Sequence, residues 1–115
     1  MSHFHAVVWI DHKQAHVFHF NADKAEKLTL RAQHQAGDER YLHAVAEALS
    51  DAGEILITGP SGAKTELVKH IARHDPEMLS RVAGVESADH PTDAQVVAHA
   101  RHYFQNADRK TAQKI

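Results

Sequence analysis

A short segment near the middle of the chain, Gly59-Pro-Ser-Gly-Ala-Lys-Thr65, has the composition of a phosphate-binding loop. The nucleotide-binding pattern G-x-x-x-x-G-K-[ST] needs a glycine directly before the lysine and a longer arc, so that successive N–H groups wrap the phosphates. Ala63 precedes the lysine here, and the arc is one residue short. We therefore predict a plain strand-to-helix turn rather than a nucleotide site. The candidates for contact with a single phosphate or carboxylate are Gly59, Ser61, Gly62 and Lys64.

Acidic residues suggest a second kind of chemistry. Metal-dependent nucleases gather several carboxylates around two Mg²⁺ ions, which activate water and stabilise the leaving oxygen. Asp11 follows the first apolar run and Glu47 lies on the first predicted helix, whereas the fourth strand ends without an acid. Asp93 is explained more simply as a first-turn carboxylate that the helix dipole favours. Two interpretations of Asp11 stay open: a metal ligand together with Glu47, or a polar turn residue.

Histidine is unusually frequent, with twelve in the chain. Imidazole is the commonest metal ligand, and His70 and His74 have the i, i+4 spacing that places two rings on one helix face. The sequence fixes no third ligand beside them, so we predict solvated helix residues, no metal site and no cofactor. His5 and His19 alternate with apolar residues and are expected to be partly buried and hydrogen-bonded.

Composition limits the classes of function. The chain has 115 residues, a formal net charge of −2 and no cysteine, which fits one domain and excludes disulfides and thiolate chemistry. A mildly acidic protein is not expected to bind nucleic acid strongly and nonspecifically, so any RNA contact must be local. No apolar run approaches membrane-spanning length, and the N-terminus lacks signal-peptide features. We expect a cytoplasmic protein without membrane contact.

The hydrophobic pattern predicts the element order βββαβαβα. Strands are predicted over residues 4–10, 15–20, 27–32, 54–58 and 83–88. Helices are predicted for the apolar stripe from Tyr41 to Leu49, for residues 63–73, and from a Thr-x-x-Gln capping box at Thr92 onward. Pro76 either ends the second helix or starts a further short one.

This order limits the topology. Two βα units require right-handed crossovers and parallel strands, while the opening hairpins make the second strand antiparallel. The simplest result is an α/β three-layer domain with a mixed five-strand sheet of order 3-2-1-4-5, the ribonuclease H-like architecture. We assign residues 1–106 to a single domain and residues 107–115 to a polar C-terminal tail.

Three segments carry a resemblance to known proteins: WIDHKQAHVF at 9–18, ITGPSGAKTELVKHI at 57–71, and GVESADHPTDAQVVAHARHYF at 84–104. Together they resemble a bacterial family of small translational machinery proteins. The second segment is also similar to the strand-loop-helix of the central domain of eukaryotic and archaeal peptide release factors and of pelota, where a Gly-Pro-Gly-Phe-x-Lys pattern occurs.

The resemblance implies a ribonuclease H-like fold and an association with ribosomes or translation quality control. It does not imply peptidyl-tRNA hydrolysis. Release factors use a Gly-Gly-Gln tripeptide in the loop after strand three, and the corresponding loop here, residues 33–38, reads QHQAGD. Arg31 and Arg40, which flank this loop, are the main candidates for RNA contact. His90 and Asp93, in the segment 89–93, are candidates for contact with a partner.

Three hypotheses follow for function. The first is a noncatalytic, translation-associated module that contacts the ribosome, tRNA or a translation-factor partner. The second is a divalent-metal-dependent ribonuclease centred on Asp11 and Glu47. The third is a protein-interaction domain that forms a homo-oligomer through a sheet edge, either residues 28–32 or 85–88.

Overall fold

The computed structural model describes residues 5–33, 39–60 and 62–113, with side chains described as far as residue 105. The strands are β1 (His5–Ile10), β2 (Gln14–Phe20), β3 (Ala25–Arg31), β4 (Glu54–Gly59) and β5 (Val82–Ser87). The helices are α1 (Glu39–Leu49), α2 (Ala63–His74), α3 (Pro76–Leu79) and α4 (Asp93–Gln113).

The five strands form one mixed sheet in the order β3-β2-β1-β4-β5, which confirms the predicted topology. β2 is antiparallel to both of its neighbours, whereas β1, β4 and β5 are parallel to one another. β1 is central because it is continuously apolar and buried over Ala6 to Ile10. Such a run is typical of a strand that is covered on both faces.

Successive residues of β1 point to opposite faces of the sheet and so divide the core into two layers. Ala6, Val8 and Ile10 pack with the apolar residues of α1 and α2 on one face. Val7 and Trp9 pack on the other face with α4, where Val96, Ala100 and Phe104 are buried. The domain is therefore a three-layer α/β/α structure, as predicted.

The two outer strands are the least covered. β3 is exposed over most of its length, and Leu28 retains 46% of its accessible surface. Along β5 partly buried and exposed residues alternate, and Val85 is 44% exposed. Both edges thus leave large apolar side chains in contact with solvent.

The bounds of several elements differ from the prediction by one or two residues, and three cases affect the description of the fold. Pro76 starts a helix of its own, because the fixed φ of proline suits the first turn, and Met78 of that helix is fully buried. β5 begins at Val82, one residue early. α4 is helical to Gln113, so the segment that we predicted as a polar tail is largely helical. Within the described residues, none of the helices combines the length and apolarity needed to cross a membrane.

Candidate functional site

Four of the five strands have their C-terminal ends on the same side of the sheet. We call this side the carboxyl edge, as distinct from the lateral edges that β3 and β5 form. β3 runs in the same direction as β1, β4 and β5 because two antiparallel pairings separate it from β1. The last residues of these strands are Ile10, Arg31, Gly59 and Ser87. In open α/β sheets, ligands tend to bind at this edge. Most of the predicted contact residues lie at it or follow it directly.

Gly59 is required by the close approach of β4 to β1. A Cβ at this position would overlap the main-chain oxygen of Ile10 and would lie 3.2 Å from its carbonyl carbon. The Gly59 oxygen accepts a hydrogen bond from the Ala88 N–H at 3.0 Å, which joins the ends of β4 and β5. Sheet packing therefore explains this glycine before any ligand is considered.

Gly62 has no such requirement. It is the N-cap of α2 with φ −68° and ψ −11°, and a Cβ there would meet nothing within 4 Å among the described atoms. Its carbonyl accepts the first helical hydrogen bond, from the Glu66 N–H at 3.0 Å. Lys64 lies half-buried in the first turn of α2. Ser61 lies outside the described residues, so its predicted contact stays a prediction.

The Asp11 carboxylate is used in the turn between β1 and β2. Its Oδ1 accepts hydrogen bonds from the N–H groups of Lys13 and Gln14, both at 2.8 Å. This side-chain-to-backbone pattern replaces a backbone turn and is a common role of aspartate in hairpins. The main-chain oxygen of Asp11 also accepts a hydrogen bond from the Tyr41 hydroxyl at 3.0 Å. The contacts of Asp11 are those of a turn residue.

Glu47 lies toward the opposite end of α1. The hydroxyl of Tyr41, near the start of this helix, contacts Asp11, whereas Glu47 is about 9 Å further along the helix axis. Next to Glu47, the Ala48 oxygen contacts His19 Nε2 at 2.7 Å, and His19 pairs with Ala6 near the start of β1. The described structure does not bring Asp11 and Glu47 together.

Arg31 and Arg40 do share a groove, which has a volume of about 240 Å³. It lies between the end of β3 and the start of α1 and is lined by Leu30, Arg31, Gln33, Arg40, Tyr41 and Ala44. We call it the arginine groove. Burial, assisted by the Asp11 charge, raises the pKa of Tyr41 above its ordinary value, so this hydroxyl stays protonated and donates to Asp11. The groove therefore combines two cations with a fixed aromatic wall.

A second groove of about 170 Å³ lies across the sheet, over the end of β1. Its lining includes Trp9, Gln14, His16, His90 and Asp93, and we call it the tryptophan groove. The His90 ring lies 5.2 Å from the Trp9 ring, between centroids. His90 thus faces the tryptophan, and its predicted contact with a partner stays a prediction.

Asp93 and His16 form the polar side of the tryptophan groove. Asp93 pairs with Lys27 Nζ at 2.7 Å and lies 3.7 Å from His16 Nδ1. Burial lowers the pKa of His16, and the Lys27 and Arg31 charges add to this effect, while Asp93 and Asp11 oppose it. His16 is therefore held neutral beside a carboxylate that is already paired. Asp93 is also the first residue of α4, the position that we predicted from the helix dipole.

The capping box before α4 is confirmed. The Thr92 Oγ1 accepts from the Gln95 N–H at 3.2 Å, and the Gln95 side chain accepts from the Thr92 N–H at 2.9 Å. His19 is partly buried and hydrogen-bonded, as expected. His5 is also partly buried, and it stacks on Phe104 with centroids 4.3 Å apart.

The His70 and His74 pair differs from our expectation of two solvated residues. His70 is buried, at 6% exposure, because α1 packs against this part of α2. Glu39, which the sequence did not single out, provides the third group: its Oε2 lies 2.8 Å from His70 Nδ1 and 4.0 Å from His74 Nε2. Within the described ranges, these are the three side chains whose ligand atoms lie within 4.8 Å of one another, close enough to share a metal ion.

Sequence reasoning also missed Trp9, Tyr41 and the His12–Glu66 pair. His12 Nε2 and Glu66 Oε2 are 2.7 Å apart and connect the β1–β2 turn to α2. A single tryptophan at the end of the central strand was a usable signal, because its indole N–H needs a partner when it is buried. The contacts of Glu39, Tyr41 and Glu66 depend on how the helices cross the sheet, which no spacing in the sequence records.

Comparison with known proteins gives matches in structure alone. No protein-family profile matches the sequence, and no curated protein matches it significantly. Among solved structures, pelota of Archaeoglobus fulgidus has a TM-score of 0.69 at 15% identity, with 86% of this chain and 31% of pelota covered. Dom34 of Saccharomyces cerevisiae has a TM-score of 0.61 at 14% identity, with 83% of this chain and 31% of Dom34 covered.

Dom34 is described as a translation termination-like factor that is involved in RNA quality control pathways and interacts with Hbs1. The archaeal translation termination factor aRF1 has a TM-score of 0.61 at 12% identity, over 96% of this chain and 41% of aRF1. The chain thus spans about a third of the length of pelota and Dom34. At these identities the likeness establishes the fold, which is that of the central domain of pelota and aRF1.

Proposed function

We propose that this chain is a noncatalytic, translation-associated module that contacts the ribosome, tRNA or a translation-factor partner through its carboxyl edge. The observation that carries the proposal is the match of 86% of this chain to 31% of pelota, with a TM-score of 0.69. The functional class is inferred from two proteins that share this fold, Dom34 and aRF1, which are described as translation termination-like and translation termination factors. Membership of the small bacterial family stays a prediction.

The arginine groove supplies the chemistry for RNA contact. Arginine presents several N–H donors in a planar fork, which suits phosphate oxygens better than the point charge of lysine. Arg31 and Arg40 line one groove beside Tyr41, whose ring gives a rigid wall. Because the net charge is −2, we expect few phosphate contacts and modest affinity in the absence of a second binding partner.

The N-terminus of α2 is a weaker part of the same interface. Helix polarity favours an anion near Gly62 and Lys64, which follow the end of β4 at the carboxyl edge. Gly59 serves the sheet, so we assign it no direct contact. The tryptophan groove, with His90 at its rim, is the corresponding surface for a protein partner.

Two features, one of the sequence and one of the structure, support a noncatalytic role. The loop after β3 carries QHQAGD and no Gly-Gly-Gln, and residues 34–38 of it lie outside the described ranges. The Asp11 carboxylate is engaged in its turn, and Glu47 lies at the other end of α1. The ribonuclease hypothesis therefore has no gathered pair of acids to support it among the residues described.

A matched pair of charge reversals tests the groove. Arg31 ends β3 at the carboxyl edge, and Lys24 directly precedes β3 at the opposite edge; both are exposed. We expect Arg31→Glu to reduce co-pelleting with purified ribosomes several-fold, and Lys24→Glu, with the same change in charge, to leave it within about twofold of wild type. Equal losses would show that only overall charge matters, which would contradict a role for the groove.

A second candidate function is self-association through a sheet edge, which the exposed Leu28 and Val85 favour. Edge strands with exposed apolar side chains are able to pair with another chain. We expect Val85→Lys to shift any dimer to monomer in light scattering coupled to size exclusion. A wild-type protein that is monomeric up to about millimolar concentration would rule out this candidate.

A further inference from the structure

Three side chains with metal-binding chemistry converge between α1 and α2. Glu39 is the first residue of α1, and His70 and His74 lie one turn apart in the second half of α2. One ligand atom from each residue lies within 4.8 Å of the other two. None of the three lines the arginine groove or the tryptophan groove. This cluster is therefore a separate feature of the molecule.

His70 is the fixed member of the cluster. Its side chain is 5% exposed, and its Nδ1 lies 2.8 Å from Glu39 Oε2. Its other ring nitrogen, Nε2, is buried and has no hydrogen-bond partner among the described residues. A buried polar atom without a partner is unfavourable and uncommon in folded proteins. The His70 ring thus has one nitrogen at a carboxylate and one that is unsatisfied.

His74 and Glu39 are the adjustable members. Their side chains are 51% and 60% exposed, so both are able to rotate toward a ligand. The His70 and His74 rings are already adjacent, with centroids 4.5 Å apart and ring planes tilted by 41°. In tetrahedral coordination, two ligand atoms at about 2.1 Å from Zn²⁺ are about 3.4 Å apart. The ligand atoms here lie within 4.8 Å of one another, so rotation of the exposed side chains has to shorten the longest separation by about 1.4 Å.

We propose that Glu39, His70 and His74 bind one divalent transition-metal ion, with Zn²⁺ as the best match. Two imidazoles and one carboxylate form a donor set that suits Zn²⁺, Ni²⁺ and Cu²⁺ and disfavours Mg²⁺ and Ca²⁺, which prefer oxygen ligands. Three protein ligands leave one tetrahedral position for water or for a group of a bound molecule. The inference is independent of the proposed RNA contact.

His43 provides additional support for the location. It lies one turn after Glu39 on α1, and its ring contacts the His70 ring edge-on with centroids 5.9 Å apart. A further imidazole thus contacts the buried member of the cluster. An ion at this position would connect the first residue of α1 to the second half of α2 and stabilise the folded state by mass action.

An ordinary ion-pair cluster explains the same contacts without a metal. Glu39 is in the first turn of α1 and His74 in the last turn of α2, where helix dipoles favour an acid and a base respectively. The two explanations make different predictions. If the cluster is only an ion-pair cluster, the thermal midpoint does not depend on metal, and replacing one member does not weaken metal binding.

The test uses the full chain without a polyhistidine tag. Zn²⁺ binding is measured by calorimetry, the thermal midpoint Tm is measured with and without Zn²⁺, and Co²⁺ is used as a visible-absorbing substitute. The variants are His74→Ala and Glu39→Gln, which change exposed side chains and spare the buried His70. The matched control is His99→Ala. His99 is similarly exposed, and its Nε2 lies 2.6 Å from Glu86 Oε1. Among the described residues, neither of the two belongs to a group of three side chains that could hold a metal ion.

We expect one tight Zn²⁺ site in wild type and in His99→Ala, with affinity about tenfold or more weaker in His74→Ala and in Glu39→Gln. We also expect Zn²⁺ at about a hundredfold excess over Kd to raise the wild-type Tm by roughly 10 °C. Absence of saturable binding, or equal affinities in all four proteins, would overturn the proposal. Because the chain has twelve histidines, weak binding that survives in every variant counts as such an equal result.

Discussion

The indole N–H of Trp9 donates a hydrogen bond to the main-chain oxygen of Asp89 at 2.8 Å. This contact spans eighty residues of sequence and ties the end of the central strand to the segment that enters α4. Trp9 also lines the tryptophan groove, where the His90 ring lies against it. The hydrogen bond thus holds the residue that directly precedes His90 against the end of β1.

Trp9→Phe is expected to destabilise the protein by about 1–3 kcal/mol, because it leaves the Asp89 carbonyl unpaired and removes packed volume. Circular dichroism during urea unfolding measures the change, since the only tryptophan is lost as a fluorescent probe. An unchanged unfolding midpoint would show that the hydrogen bond contributes nothing.

The two glycines of the loop before α2 should differ sharply in their tolerance of a methyl group. Gly59→Ala forces a Cβ against the Ile10 carbonyl and is expected to cost about 2 kcal/mol or more. Gly62→Ala places a Cβ in open space on helical backbone and should change the free energy of unfolding by less than about 1 kcal/mol. Similar losses in both variants would contradict the described loop geometry.

Stability should fall as the pH drops, in part through His16. Its folded-state pKa is lower than the ordinary value of 6.5, chiefly through burial, so the unfolded chain takes up a proton more readily. This contribution is fully present above about pH 6.5 and is lost as the pH falls toward the folded-state pKa. Urea unfolding between pH 7.5 and 5 should therefore show a steeper loss in wild type than in His16→Asn.

A nuclear magnetic resonance titration of the His16 ring checks the cause. Asp93→Asn removes a carboxylate that raises the pKa of His16, so the apparent pKa should fall further in this variant. A His16 titration above 6.5 in wild type, or no response to Asp93→Asn, would contradict the described environment.

Asp11 should behave as a turn residue in both stability and activity. Asp11→Asn keeps a side-chain oxygen that can accept from Lys13 and Gln14, and should stay within about 1 kcal/mol of wild type; Asp11→Ala should lose about 1 kcal/mol. We expect that Mg²⁺-dependent RNA cleavage, measured in parallel, is the same in Asp11→Asn as in wild type. Cleavage that disappears in Asp11→Asn and in Glu47→Gln would restore the ribonuclease hypothesis.

The sheet could be predicted from sequence because its determinants are local. The continuous apolar run of β1, the turn at Asp11 and the two βα units together leave one simple strand order, and that order is confirmed. The capping box at Thr92 is equally local and is also confirmed. Patterns that span only a few residues suffice for these features.

The site could be predicted only in part, because its contacts join residues from different elements. The function of segment 89–93 as a contact segment stays a prediction, and the contact of His90 with Trp9 depends on where α4 crosses the sheet. Glu39 meets His70 only because α1 and α2 pack side by side. No periodicity in either helix encodes that meeting, so a histidine that we expected in solvent is buried.

Association with the translation machinery is tested most directly by sedimentation of the native protein through a sucrose gradient of cell lysate. At low salt we predict that a fraction of the protein migrates with ribosomal particles, and that rising salt releases it because the contact is partly electrostatic. Migration with free protein alone, at low salt as well as at moderate salt, would contradict the account.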